Sequence, residues 1–443
     1  MKNKTLELTP PQIISLGFIF IIGTGTILLA LPLASRSGIG LSLIDALFTA
    51  TSATAVTGLV VVDTGTYFNL FGQLVILFMI QIGGLGFMTI TTLFALALGK
   101  RINLRERLIM QEALNKVDLE GVVKLTKYII IFTFLTEGLA ALVLTLYWAP
   151  LYGWGQALYY GLFHAISAFN NAGFDLFTTS MVRFRGDWLV NLVIMFLIIT
   201  GGLGFTVIAD IYNNGFKWRE YSLHTKLVLV VTACLLVVGA AGVYVLEKEN
   251  PDTLKNLPFH ERLLASLFQG VVPRTAGFNS VMIGQLRSPT LFLMMILMFI
   301  GASPGSTGGG IKTTTFITIV LTVYYRILGR EDTPVFNRRL PTDTIFKSLS
   351  VMVVGVLLVI VVAIMLLAIE NKPLEPVLFE TVSAFATVGL STGITSQLTP
   401  AGKLLLTLMM FTGRVGPMTV AYAIVLRKTK TTIRMPEEKI IVG

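Results

Sequence analysis

A five-residue theme with glycine in its fourth position occurs four times in this sequence of 443 residues. Each copy follows an apolar segment of about four helical turns, which is too short to cross a bilayer, and precedes a longer apolar segment. The copies are Ala55-Val56-Thr57-Gly58-Leu59, Asn170-Asn171-Ala172-Gly173-Phe174, Arg274-Thr275-Ala276-Gly277-Phe278 and Ala386-Thr387-Val388-Gly389-Leu390. Repetition of one re-entrant unit predicts that the chain folds around a pore.

The residues around these glycines keep a common spacing. A bulky apolar residue stands ten positions upstream of each glycine, and serine or valine stands six positions upstream: Phe48, Phe163, Leu267 and Phe379, then Ser52, Ser167, Val271 and Ser383. A second glycine cluster recurs 24 to 28 residues downstream: Gly83-Gly84-Leu85-Gly86, Gly201-Gly202-Leu203-Gly204, Gly301 to Gly305, and Gly413-Arg414-Val415-Gly416. Spacing this uniform predicts internal repeats.

Composition places the repeats in a membrane. Hydrophobic residues make up 54% of the chain and charged residues 13%, which indicates an integral membrane protein. The basic residues behind the net charge of +10 lie in short loops between apolar spans, so they indicate how the chain is oriented in the membrane. This placement argues against a nucleic-acid partner. The single cysteine, Cys234, and three scattered histidines predict neither a disulfide framework nor a metal-ligand cluster.

Each unit is read as a spanning helix, a short pore helix, a loop and a returning span. The sequence therefore predicts an all-α integral membrane protein of four tandem units, with eight spanning and four re-entrant helices in pseudo-four-fold symmetry around one pore. The units are predicted to cover residues 1–115, 116–220, 221–340 and 341–443. The pore helices are predicted at Leu43–Thr54, Ala157–Phe169, Glu261–Val272 and Pro376–Phe385.

Basic residues orient these units. They flank the apolar segments on one predicted side: Lys2, Lys4, Lys100, Arg101, Arg105, Arg107, Lys217, Arg219, Arg326, Arg330, Arg338, Arg339, Arg427, Lys428, Lys430 and Arg434. By the positive-inside rule this side is the cytoplasm, which places both termini and a C-terminal tail there. The basic loop between the third and fourth units serves either to contact a cytoplasmic partner or only to set the topology.

The four loops are predicted to form a selectivity filter. A cation that crosses the membrane loses its hydration shell, and backbone carbonyls turned toward one axis replace it, which favours glycine in each loop. No Asp or Glu stands within three residues upstream of any of these glycines, so carbonyl coordination of a large monovalent cation is favoured over calcium binding. The predicted filter residues are Val56, Thr57, Gly58, Asn171, Ala172, Gly173, Thr275, Ala276, Gly277, Thr387, Val388 and Gly389.

Charged and polar side chains near these loops are expected to have structural roles. Asp45 and Glu375 stand near the starts of two pore helices, where an acidic side chain stabilises the helix N-terminus. Glu380 and His164 lie inside pore helices and are expected to form packed hydrogen bonds. The four filter sequences differ from one another and lack the second glycine of potassium channels, which predicts fewer tight cation sites.

The third return span, predicted over Leu291–Leu328, cannot be one continuous helix, because glycines and a proline crowd its first half. Irregular backbone at membrane depth survives where it is buried in protein or faces water. The segment 301–315 is therefore predicted to be a gate below the filter, with Gly305, Ser306, Thr307, Gly308, Gly309, Gly310 and Lys312 as gating residues. The other glycine clusters are expected to serve close helix packing, with their return spans unbroken.

Arg414 is a lone guanidinium in the middle of the fourth return span. Such residues face the bundle interior or a water-filled path. It is predicted to act as an electrostatic barrier beneath the filter or as an anchor for the gate loop. The alternative is a structural pairing with Glu380 or with backbone carbonyls.

The sequence resembles the Trk/Ktr/HKT superfamily of potassium transporters. The resemblance lies in four units that each consist of a span, a pore helix with a filter glycine after it, and a return span, together with the glycine-rich break in the third return span and the arginine in the fourth. The length and the short N-terminus are most similar to the membrane subunits of bacterial Ktr uptake systems. The resemblance implies potassium conduction with K+ held at Gly58, Gly173, Gly277 and Gly389. Some members carry serine at the first filter position and admit sodium, so Gly58 favours potassium here.

The resemblance also implies partners and a location. Members form homodimers in the bacterial inner membrane, and several depend on Na+, as symporters do. Ktr membrane subunits are controlled by a cytoplasmic ring of nucleotide-binding RCK subunits of the KtrA kind, which bind ATP and ADP. The ligands expected on this chain itself are K+ as the transported ion and Na+ as a candidate co-ion, with no organic cofactor.

Two other functions are alternatives to a potassium pore. A secondary transporter for a monovalent cation, working by alternating access, would show inverted repeats and paired broken helices. Here all four units read in the same direction and one return span is predicted to be broken. A membrane enzyme would need clustered acids, histidines or a nucleophile at membrane depth, and the sequence shows none, so no enzymatic activity is predicted.

Overall fold

The computed structural model describes residues 8–86 and 122–424, together with the isolated positions 89, 108, 111, 436, 438 and 441. The described chain is mostly helical. Its helices are α1 (Pro10–Ala30), α2 (Leu43–Thr54), α3 (Thr64–Tyr67), α4 (Leu70–Leu85), α5 (Val122–Tyr152), α6 (Trp154–Phe169), α7 (Trp188–Leu203), α8 (Phe205–Asn214), α9 (Leu223–Glu247), α10 (Phe259–Val271), α11 (Ser288–Phe299), α12 (Thr313–Ile327), α13 (Thr342–Glu370), α14 (Leu374–Ala386), α15 (Pro400–Val415) and α16 (Pro417–Ile424). A small antiparallel hairpin, β1 (Pro334–Val335) and β2 (Arg338–Arg339), joins α12 to α13.

Several helices are suited to a membrane. Among the described residues, α1, α5, α9 and α13 are long and apolar enough to cross it, and α7 with α8 forms a fifth candidate that is bent by 95°. The predicted count of eight spans stays a prediction, because the remaining apolar segments are shorter or interrupted. Most of the basic residues that orient the first and last units, such as Lys100 and Arg427, lie outside the described residues.

The expectation of unbroken return spans is wrong for the second and fourth units, where Gly204 and Gly416 each lie between two helices. The first return helix ends at Gly86, which is also where the described residues end in that span. The last glycine of each downstream cluster has a positive φ, +81° at Gly86, +95° at Gly204 and +95° at Gly416, and each ends a helix. Side chains rarely adopt this backbone conformation, whereas glycine does so at little cost. The third return segment is broken more widely, as predicted, between Phe299 and Thr313.

The short helices agree closely with the predicted pore helices. The bounds of α2 are the predicted ones, and α6, α10 and α14 begin two or three residues earlier than expected. Pro258 and Pro373 occupy the positions just before α10 and α14 with φ near −60°, a value that suits the entry to a helix. The pattern of apolar residues misses such starts because the first apolar residue, Trp154, Phe259 or Leu374, is separated from the apolar run by polar residues, glycine or proline.

Helix contacts follow a head-to-tail order. Each short helix packs against the long helix before it in the chain, in the pairs α1–α2, α5–α6, α9–α10 and α13–α14. It also packs against the helix that follows the preceding short helix, in the pairs α4–α6, α7–α10 and α11–α14, and the set closes with α15 against α2. The first and last parts of the chain are therefore neighbours, and the four short helices surround a common centre.

An ion pair contributes to this closure. The Lys403 ammonium on α15 lies 2.6 Å from the Asp45 carboxylate in the first turn of α2, with the two side chains 12% and 25% exposed. Replacing Lys403 with Met is expected to lower the free energy of unfolding by about 1–2 kcal/mol, between the values for surface and buried pairs. Thermal unfolding in detergent measures this loss.

Lys372 provides the matched control, because its ammonium donates to the neutral, exposed Gln397 side chain at 2.7 Å and forms no ion pair among the described residues. Lys372→Met should leave the unfolding temperature unchanged. Adding Asp45→Asn to Lys403→Met should recover part of the loss, since the unpaired carboxylate is then removed. Equal unfolding temperatures for Lys403→Met and Lys372→Met would contradict a stabilising role for the pair.

Candidate functional site

The four predicted filter glycines meet at the centre of the helices. Each faces the carbonyl oxygen that precedes the glycine of the next loop. A Cβ added to Gly58, Gly173, Gly277 or Gly389 would lie 2.6, 2.9, 2.8 or 2.1 Å from the oxygen of Ala172, Ala276, Val388 or Thr57, respectively. The order runs from the first loop to the fourth and back to the first. A closed ring of backbone carbonyls results, and it leaves no room for a side chain larger than hydrogen.

The four loops share a backbone conformation that the sequence did not reveal. The residue two positions before each glycine has a left-handed φ of +57° at Val56, +58° at Asn171, +70° at Thr275 and +52° at Thr387. Such a conformation costs a β-branched residue about 1–3 kcal/mol, and it persists where the surroundings enforce it. Because left-handed residues stand at this position and at the glycine itself, the peptide planes of each loop are turned in the same way.

Serines six residues before the glycine form hydrogen bonds to the backbone of three of the loops. The Gly58 and Gly389 amides each donate to a serine hydroxyl, Ser52 and Ser383, at 3.1 Å. The Ser167 hydroxyl donates to the Phe174 carbonyl at 2.6 Å. The third loop carries Val271 at this position and has no such bond. These hydroxyls give a physical reason for the common spacing in the sequence.

His164 and Glu380 form the packed hydrogen bonds expected of them. Both are fully buried and both lie nine residues before a filter glycine. The Leu176 amide donates to His164 Nε2 at 3.3 Å, and the Thr395 hydroxyl donates to Glu380 at 2.9 Å, together with the Ser391 hydroxyl. Each side chain thereby holds the segment that leaves its filter loop.

A cavity of about 490 Å³ opens above the ring. It is lined by the four filter glycines and by the segments that follow them, including Asp63 and Asp175. Burial raises the pKa of Asp175 to about 7, and the negative charge of Asp63 adds to this rise. Hydrogen bonds from the Ser180 hydroxyl and the Phe177 amide oppose it. The negative charge in this cavity therefore increases as the pH rises through neutrality.

The return helices touch the ends of the short helices through glycine. A Cβ added to Gly83, Gly201 or Gly413 would lie 2.0, 1.9 or 1.9 Å from the carbonyl oxygen of Thr54, Phe169 or Phe385, respectively. Each of these carbonyls stands four residues before a filter glycine. The close packing expected of these clusters is confirmed at their first glycine, while their last glycine ends the helix.

The predicted gate loop lies directly against the filter. A Cβ added to Gly308 would be 2.0 Å from the Thr275 hydroxyl, and one added to Gly309 would be 2.3 Å from the Thr387 hydroxyl. The Asn171 amide hydrogen-bonds the Thr307 hydroxyl at 3.1 Å. The loop thus contacts the left-handed residue of three filter segments, and it can do so because its own residues are small.

Backbone bonds fix the ends of this loop. Gly305 and Gly310 have positive φ values of +65° and +69°, and the Gly305 carbonyl accepts from the Phe205 amide at 2.8 Å. The Ser306 hydroxyl donates to the Ser303 carbonyl at 2.6 Å. The Lys312 ammonium donates to the Gly308 carbonyl at 2.6 Å. All predicted gating residues other than Arg414 thus belong to one compact loop.

Arg414 ties the gate loop to the first return helix. Its guanidinium donates to the carbonyls of Thr307, Gly83 and Gly84, the last at 3.0 Å. Within the described residues Arg414 forms no ion pair with Glu380, whose carboxyl group accepts from the hydroxyls of Ser391 and Thr395 instead. Of the pairings considered from the sequence, carbonyl binding is the one observed. Arg414, Lys312 and the gate loop line a second cavity of about 390 Å³ on the opposite side of the ring.

Comparison with known proteins gives a consistent result. Residues 11–432 match the TrkH family model, described as cation transport protein. The chain is 46% identical to the Ktr system potassium uptake protein B of Bacillus subtilis, over 99% of this chain and 98% of that protein. It is 39% identical to the potassium/sodium uptake protein NtpJ of Enterococcus hirae, over 100% and 99%.

A solved structure shares the fold. The potassium transporter TrkH from Vibrio parahaemolyticus matches with a TM-score of 0.75 and 17% sequence identity, covering 96% of this chain and 86% of that one. The arrangement of helices found here is therefore the TrkH fold.

Proposed function

The chain belongs to the TrkH family of cation transport proteins, and we propose that it is the potassium-conducting membrane subunit of a Ktr-type uptake system. The observation that carries this proposal is the closed ring of backbone carbonyls around Gly58, Gly173, Gly277 and Gly389. Carbonyl oxygens can replace the hydration shell of a potassium ion without binding it too tightly to leave. The relatives in Bacillus subtilis and Vibrio alginolyticus are named as potassium uptake proteins.

The head-to-tail contacts support a pore with four equivalent walls. In the proposed architecture each wall consists of a spanning helix, a short helix, a filter loop and a return segment broken at glycine. The chain would cross the membrane eight times, with both termini in the cytoplasm. Ion entry would occur from the outer cavity, where Asp63 and Asp175 attract cations, and exit through the inner cavity.

The gate loop would control conduction. It fills the space under the filter and contacts three of its four segments, so an ion that leaves the ring meets the loop next. A cytoplasmic RCK subunit that binds ATP or ADP would act on this loop, and the basic hairpin β1–β2 is a candidate contact for it. A homodimer in the bacterial inner membrane and a dependence on Na+ complete the proposal.

The decisive experiment compares ion uptake in cells that lack other potassium importers. The intact chain, expressed alone and with an RCK subunit, is expected to restore growth at low potassium and to take up Rb+ in preference to Na+. Cells with the empty vector provide the baseline. Absence of both growth and Rb+ uptake, with the protein present in the membrane, would contradict the proposal.

The second candidate is a secondary transporter for a monovalent cation. The observation that favours it is that three return segments are interrupted, at Gly204, at Gly416 and between Phe299 and Thr313, because broken helices are common at transporter binding sites. The head-to-tail order of all four loops argues for the pore instead. Flux measured in liposomes separates the two, since a pore passes Rb+ down its gradient without a coupled ion.

A further inference from the structure

A buried carboxylate lies behind the second filter loop. Glu137 stands in the middle of the long apolar helix α5, and its side chain is 2% exposed. No ion pair to it is formed within residues 8–86 and 122–424. An ionisable residue inside a membrane segment costs free energy, so its presence calls for a reason beyond packing.

The contacts of Glu137 supply that reason. One of its oxygens accepts from the Asn170 amide at 2.9 Å, and the other accepts from the Gln81 amide at 3.2 Å. The Asn170 amide also donates to the Gln81 side-chain oxygen, at 2.9 Å. These three side chains form a closed triad that joins α5, α4 and the start of the second filter loop.

Asn170 stands three residues before Gly173, where the backbone leaves α6 and enters the filter. The corresponding residues in the other loops are Ala55, Arg274 and Ala386. A buried amide that lost its partners would cost about 1–3 kcal/mol. The side chain of Asn170 is therefore held where the triad places it, and the second loop has a polar attachment at a position where two of the others have alanine.

The same triad adjoins the segment that Arg414 binds. A Cβ added to Gly84 would be 2.0 Å from the Asn170 side-chain oxygen, so Asn170 packs directly on Gly84. The Gly84 carbonyl accepts from Arg414 at 3.0 Å. The end of α4 thus lies between the attachment of the second filter loop on one side and the anchor of the gate loop on the other.

We propose that Glu137 is a positioning residue of the filter: through Asn170 it fixes the carbonyls of the second loop and so contributes to the preference for potassium over sodium. The inference rests on the proposed function. Glu137 does not touch the ion, and it acts by setting where the Ala172 carbonyl, which faces Gly58, can lie.

The test measures Rb+ and Na+ uptake by purified protein in liposomes. Glu137→Ala is expected to lower the Rb+/Na+ uptake ratio on the order of tenfold, the equivalent of one lost hydrogen bond. Glu137→Gln keeps an acceptor for the Asn170 amide and should preserve most of the ratio. Unchanged selectivity in Glu137→Ala would overturn the inference.

Two controls on the same helix separate positioning from stability. Thr133→Val changes a buried hydroxyl that has no hydrogen-bond partner among the residues that the structure describes, and it should leave the ratio unchanged. Leu144→Ala creates a cavity at a fully buried site and should lower the unfolding temperature without lowering the ratio. An equal loss of selectivity in Leu144→Ala would overturn the role assigned to Glu137. Absence of any Rb+ uptake by the unmodified protein would instead contradict the proposed function itself.

Discussion

Replacement of Gly389 by alanine is expected to lower the Rb+/Na+ uptake ratio by at least about 100-fold, or about 3 kcal/mol. A Cβ at this position would be 2.1 Å from the Thr57 oxygen and 2.8 Å from the Gly58 Cα. Both are backbone atoms, which cannot rotate away as a flexible side chain does. The contact closes the ring between the fourth and first loops, so relief of the overlap must separate two filter segments. Isotope uptake into liposomes, normalised to folded protein, measures the effect.

Gly393 provides the matched control in the same loop. It also has a left-handed backbone, with φ +100°, but apart from its own chain neighbours no heavy atom of the described residues lies within 4 Å of an added Cβ. Gly393→Ala therefore carries the backbone penalty without the overlap, and it should keep the uptake ratio of the unmodified protein. Selective Rb+ uptake by folded Gly389→Ala would contradict the carbonyl-ring filter. A similar loss in both variants would assign the effect to backbone strain.

The spacing of the sequence identified the four glycines that meet at the centre, because the same physical constraint acts in each loop. The carbonyl of a neighbouring loop approaches within 3 Å of where a Cβ would stand, so glycine is needed at all four positions. The short helix α2 was predicted with its observed bounds, since Ser42 caps its start and the loop begins directly after Thr54. The capping residue and the position of the repeated glycine motif therefore predicted the same bounds for this helix.

Other features depended on contacts that a sequence does not display. The left-handed residue before the filter is Val56, Asn171, Thr275 or Thr387, and no residue preference links these types. Gly86, Gly204 and Gly416, which end helices, were predicted to be packing positions, because glycine serves both to end a helix and to allow close helix packing. Only the structure distinguishes these two roles. The first glycine of a cluster packs against a carbonyl of a short helix, whereas the last one has a positive φ and ends the helix.

The role of Glu137 was hidden for a different reason. Its partners Gln81 and Asn170 stand 56 and 33 residues away along the chain, and each is an unremarkable polar residue by itself. Helix packing brings α4 and α5 to the start of the second loop, and only then do the three side chains meet. A buried acid in an apolar helix was the one available signal, and it points to a function without naming the partner.

Replacement of Arg414 by alanine is expected to raise potassium flux, on the order of tenfold, by releasing the gate loop. The guanidinium donates to carbonyls of Thr307, Gly83 and Gly84, and a hydrogen bond from a charged group contributes about 1.5–3 kcal/mol. Without these bonds the loop keeps its attachment to the second return segment, where the Thr307 amide donates to the Gly201 carbonyl at 3.2 Å. It loses its attachment to the first return helix, and an open arrangement becomes more populated. Rb+ flux into liposomes without an RCK subunit measures the change.

Arg414→Lys distinguishes an anchor from an electrostatic barrier. An ammonium keeps the positive charge under the filter but lacks the planar group that reaches three carbonyls at once. If Arg414 is an anchor, the lysine variant conducts nearly as fast as the alanine variant; if it is a barrier, flux stays low. Arg262→Ala is the control, because this arginine also binds carbonyls, those of Leu257 and Lys255, but far from the gate loop in sequence. Arg414 binds the gate loop and the first return helix rather than a filter segment, so its loss should alter flux more than selectivity. A larger effect on selectivity than on flux would instead assign Arg414 to the filter.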